Sequence, residues 1–129
     1  MSLSKKRPVR PVLSREEALS MIPVRNAEVE ETVLPNAAVQ LAYPLAVKPW
    51  FGRLAESVGL WDKRPMTKRL ELDEMGAFVW QQIDGRRSVR QIASAFVEQY
   101  QVQVREAELS VTAFIKTIGQ RGIIGLVGD

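Results

Sequence analysis

Residues 70–100, LELDEMGAFVWQQIDGRRSVRQIASAFVEQY, contain a strand end, a helix, a stop and a second helix. Each boundary has its own chemical signal. Asp73 stands where a helix N-cap belongs, with a carboxylate that accepts from orphan backbone N–H groups. Met75, Phe78, Val79 and Ile83 then recur at helical spacing. Trp80 reads as a core or boundary packer. Gly76 in the first turn costs about 1 kcal/mol relative to Ala, which implies that another backbone passes close by. Asp84-Gly85 is the stop, with Gly85 as a left-handed cap. Ser88 and Gln91 make a capping box. Val89, Ile92, Ala93, Phe96, Val97 and Tyr100 follow as the strongest periodic stripe in the chain.

Upstream, Met66 to Leu72 reads as a strand with Met66, Lys68, Leu70 and Leu72 on one face and Thr67, Arg69 and Glu71 on the other. Before it, residues 29–34 and 39–43 alternate in the manner of strands, with a Pro35-Asn36 turn between them, and read as a hairpin. Pro44 marks an edge or an end. Ser14-Arg15-Glu16-Glu17 is a second capping box, opening a short helix that runs to about Met21 and stops before Pro23. Residues 47–65 read as an inserted amphipathic helix with large apolar side chains, Trp50, Phe51 and Trp61 among them. Downstream, a third helix is expected from Glu106 to Arg121. Its buried face is Ala107, Val111, Phe114, Ile115 and Ile118, and Gly122 caps it. Ile123 to Val127 is either a short terminal strand or a packed tail. The expected architecture is α+β and winged helix-turn-helix-like: an N-terminal three-stranded antiparallel sheet followed by a three-helix bundle.

Composition narrows the function. With 129 residues the chain reads as one domain over 14–129, preceded by a basic flexible tail over 1–13. Cysteine and histidine are both absent, which removes thiolate nucleophiles, disulfides, the commonest general base and the commonest metal ligand. The carboxylates stand at caps and on alternating strands, where acids are solvated, so no catalytic residue, metal or cofactor is expected. No apolar run approaches the roughly 20 residues that span a bilayer, and no apolar signal core follows the basic N-terminus. A cytoplasmic location, away from membranes, is expected.

The net charge is +3, and Lys5, Lys6, Arg7 and Arg10 lie in the first thirteen residues without an acid. The remaining fourteen basic and fifteen acidic residues make the body nearly neutral. The pI of 9.5 therefore belongs largely to the tail. A DNA-binding winged helix is disfavoured: Arg86, Arg87 and Arg90 could meet phosphate, but the recognition helix would open with Glu106 and Glu108, which repel it. No nucleic-acid partner is expected.

The segment at 70–100, followed by VTAFIKTIGQRGIIGL, resembles the PqqD-like family, named for a protein of pyrroloquinoline quinone (PQQ) biosynthesis. The resemblance is carried by Leu72-Asp73, Phe78-Val79-Trp80, Ile83 through Val89, Ile92-Ala93 and Gly122-Ile123-Ile124. It covers about residues 26–127. The basic tail, the capped N-terminal helix and the insertion at 47–65 depart from a minimal member. The resemblance implies a non-catalytic peptide-binding chaperone, a RiPP recognition element that holds a precursor-peptide leader and presents it to a modifying enzyme, often a radical S-adenosylmethionine (SAM) enzyme. It implies that the leader adds as a strand beside the third strand, in a groove completed by the last helix.

A strand edge offers unpaired main-chain groups to such a peptide. The peptide-binding candidates are Thr67, Lys68, Arg69, Leu70 and Glu71 on that edge, and Leu109, Thr112, Ala113 and Lys116 on the helix. Arg69 and Lys116 would attract an acidic leader. A protein-interaction scaffold without peptide cargo is the alternative, and a homodimer formed by strand exchange is compatible with either.

Overall fold

Ser14 opens the first helix: its hydroxyl accepts from the Glu17 N–H at 3.1 Å, and Glu17 accepts from the Ser14 N–H at 2.9 Å. The computed structural model describes residues 14–44 and 67–128. The basic tail, the 47–65 insertion and Met66 lie outside the described residues. In chain order the elements are α1 (Arg15–Ser20), β1 (Ile22–Arg25), β2 (Glu30–Val33), β3 (Val39–Pro44), β4 (Thr67–Leu72), α2 (Glu74–Gln82), α3 (Val89–Tyr100), α4 (Val104–Gln120) and β5 (Ile124–Val127). The architecture is α+β. One antiparallel sheet has the order β2-β3-β4, and a separate ribbon joins β1 to β5.

β1 is absent from the sequence-based reading, which passes from a helix straight to an extended region at Asn26. Pro23 obscures it. Proline removes a ladder donor, which a strand with a single partner tolerates, and β1 pairs only with β5 among the described residues. Pro23 faces Leu126 in that antiparallel register. The trailing apolar segment is thus a strand whose partner lies near the other end of the chain.

Two helix boundaries also differ. α2 ends at Gln82, and its C-cap Ile83 is already extended. Gly85 has φ +80 but lies in the following loop and does not cap the helix. Asp84 organises that loop by accepting from the N–H groups of Arg86 and Arg87, each at 2.9 Å. These two donors hold its carboxyl below the ordinary value. α4 begins at Val104 rather than Glu106. Gly122 does terminate it, at φ +81.

The core is built from alternate residues of β3 (Val39, Leu41 and Tyr43) packed over the stripes of the helices. Trp80 is only 1% exposed. Its indole N–H donates to Glu31 at 3.0 Å, and the Arg25 guanidinium lies 4.1 Å from its ring centroid. Met75, expected on the buried face of α2, is instead exposed, and Gly76 takes its place inside. The approach to Gly76 is made by side chains, not by a passing backbone. A Cβ there would lie 3.1 Å from Asp73 Oδ1 and 3.2 Å from Phe114 Cε1.

Candidate functional site

β4 closes one side of the sheet: among the described residues it pairs with β3 alone. Directly paired residues of an antiparallel ladder share a face. Leu72 pairs with Val39, Leu70 with Leu41 and Lys68 with Tyr43, so these β4 residues sit on the core-facing side. Thr67, Arg69 and Glu71 pair with Pro44, Ala42 and Gln40 on the opposite side. All five expected edge residues, Thr67 to Glu71, therefore lie where the sequence places them, with the predicted facing.

The position of α4 follows from two contacts. Phe114 reaches the Gly76 site beside Leu72, and Arg121 donates to the Tyr43 hydroxyl at 2.8 Å. Tyr43 is the partner of Lys68. The Phe114 end of α4 thus meets the start of α2 just past Leu72, and its Arg121 end reaches β3 at the ladder partner of Lys68. Seven residues of helix rise about 10 Å, close to the roughly 13 Å spanned by four residues of strand. By helical register Ser110, Ala113 and Thr117 share this flank with Phe114 and Arg121.

Of the expected helix residues, only Ala113 lies on that flank. Thr112 and Lys116 line a different groove, of about 530 Å³, with Ala18, Ile124 and Leu126. That groove lies between α1, α4 and β5, and no β4 residue lines it. Leu109 is 61% exposed and lies outside that lining too. The sequence reading missed Phe114 and Arg121 as the contacts that bring α4 to the sheet. The hydrophobic stripe marks the buried direction of a helix but not which neighbour lies on each flank.

Part of the arginine cluster considered for phosphate contact is engaged internally. Arg90 pairs with Glu16 at 2.6 Å and with Glu108 at 3.9 Å. Arg15 also pairs with Glu108, which is buried. Arg87 bonds to Gln82 and lies 3.6 Å from Asp84. Among the described residues no group of three acidic side chains is placed to hold a metal ion, and no helix is long and apolar enough to cross a membrane.

The described residues form an α+β fold in which β4 is an edge strand of the three-stranded sheet. Residues 65–124, 60 of the 129, match the family described as Coenzyme PQQ synthesis protein D (PqqD). The chain is PqqD-like over this segment, which runs from just before β4 to the first residue of β5. No curated protein matches the chain.

Proposed function

We propose that this chain is a non-catalytic peptide-binding protein of winged helix-turn-helix-like build. It captures the leader of a precursor peptide by strand addition to β4 and presents it to a modifying enzyme, of which a radical SAM enzyme is one example. The PqqD-like match supports a role in or near PQQ biosynthesis. The observation that carries the reading is the edge position of β4, with Phe114 of α4 at the Gly76 site just past one end and Arg121 bonded to Tyr43, the ladder partner of Lys68, at the other. Main-chain groups on alternate residues of such an edge supply bonds that tolerate many sequences. The partly buried Leu70 as floor and the wall of Ala113, Phe114 and Thr117 would supply selection.

The test is amide hydrogen exchange of the full chain, with and without the leader peptide encoded nearest its gene. Protection should rise on alternate amides of Thr67–Glu71, while the β1–β5 ribbon stays unchanged. Binding with protection confined to another surface would replace strand addition by a scaffold role.

A further inference from the structure

The proposed edge is electrically polarised along its length. We propose that it selects an extended segment whose basic residues precede its acidic ones, added antiparallel to β4. This inference rests on the strand-addition reading and specifies the chemistry of the peptide.

β4 reads Thr67-Lys68-Arg69-Leu70-Glu71-Leu72, and Asp73-Glu74 follow. Two cations come first and three carboxylates after. The positive end is extended from below by Arg121, because Tyr43 both pairs with Lys68 and accepts from Arg121. The negative end opens into a cleft of about 750 Å³ lined by Glu71, Asp73, Glu74, Phe78 and Tyr100 among others. Phe78 and Tyr100 meet edge to face there, their centroids 5.6 Å apart. Burial raises the Tyr100 hydroxyl above its ordinary value, and the charges of Glu74 and Asp73 raise it further, so the acidic field reaches the aromatic floor. Asp73 uses one oxygen to accept from the Gly76 N–H at 2.8 Å, and Glu71 and Glu74 are exposed.

Arg69 and Glu71 stand two residues apart on one face, about 7 Å along a strand, within the screening length of about 8 Å at physiological salt, so they partly offset each other. Lys68 lies about 10 Å from Glu71 along the strand and on the opposite face, so the outer charges of the two ends act separately. A uniformly acidic segment gains at Lys68 and Arg69 and loses at Glu71 and Glu74; a uniformly basic one does the reverse. Only a segregated segment gains at both ends. The sheet is antiparallel throughout, and antiparallel pairing is slightly more stable per residue. An antiparallel addition starts at the Leu72 end, which places the basic half first. The apolar centre then sits over Leu70, and an aromatic or long basic side chain near the peptide's N-terminus has the Phe78–Tyr100 cleft to enter.

Three synthetic peptides of one composition test this, each about ten residues long with an apolar centre: basic-first, acidic-first and charge-alternating. Fluorescence anisotropy against the full chain should show the basic-first peptide binding about tenfold tighter than either other at low salt. The advantage should collapse at about 0.5 M salt. Equal affinities with protection still on Thr67–Glu71 overturn the charge-order proposal and leave strand addition standing. Tighter binding of the acidic-first peptide overturns the antiparallel direction. Failure of all three, with no protection by any peptide, overturns strand addition as well. The variant carrying Lys68→Glu, Arg69→Glu, Glu71→Lys and Glu74→Lys should invert the preference, an outcome that general loss of structure cannot produce.

Discussion

At the scale of single residues, Gly76 shows how a position that looks like a helix defect is set by its neighbours. An Ala would gain about 1 kcal/mol of helix propensity. The added Cβ would crowd Asp73 Oδ1 at 3.1 Å and Phe114 Cε1 at 3.2 Å. The first contact disturbs the N-cap, worth about 1 kcal/mol, and the second displaces a ring wedged between α2 and α4. Gly76→Ala should therefore destabilise the fold by about 1 kcal/mol in urea unfolding; a gain in stability would show that both neighbours yield freely. Tyr100 makes a separate prediction in pH. Its folded pKa lies above the ordinary value, chiefly through burial and then through Glu74 and Asp73. The unfolded chain thus loses this proton first as pH rises. The stabilising contribution is complete below about pH 10 and is lost on climbing through the folded pKa. Tyr100→Phe should flatten the decline of Tm above pH 10, and superimposable alkaline profiles would contradict that assignment.

At the scale of elements, local chemistry was legible and remote pairing was not. Both capping boxes, at Ser14 and Ser88, are formed as read, because each needs only a side chain and an N–H three residues away. The β1–β5 ribbon escaped the reading because its register is set between residues about a hundred positions apart, where no local pattern records the partner. Glu108 escaped for a related reason. It reads as a solvated acid on a helix start, yet α1 docks beside it and places Arg15 on its carboxylate, with Arg90 reaching from α3. This α1–α3–α4 junction is also tied by the Val89 N–H donating to the Met21 carbonyl at 2.9 Å. Glu108→Leu would remove the shared acceptor and leave two partly exposed guanidinium groups facing each other. The expected cost is about 1–2 kcal/mol, between exposed and fully buried pairs. The α1 amides should exchange faster while those of β3 do not. Uniform loss of protection would mean instead that α1 is inseparable from the core.

At the scale of the whole molecule, α4 divides the protein into two faces. One flank carries Glu108, Thr112 and Lys116 toward α1 and the β5 groove. The other carries Phe114 and Arg121 toward β3 and the end of β4. The edge strand of the candidate site was legible because alternation fixes strand facing. The helix wall was legible only at Ala113, because helical periodicity is silent about which element fills each flank. On one flank the neighbour is α1, whose Arg15 pairs with Glu108, so that side of α4 faces α1. The two flanks can be separated by adding bulk to each. Thr117→Trp places an indole in the proposed leader groove beside Phe114 and should weaken leader binding at least about tenfold, equivalent to about 1.4 kcal/mol. Thr112→Trp fills the groove toward β5 and should leave the affinity within about twofold, less than about 0.5 kcal/mol. Thermal melts of both variants control for folding. Should the Thr112 variant lose binding while the Thr117 variant keeps it, the leader lies along β5, and the function passes from the sheet edge to the ribbon that joins the two ends of the described fold.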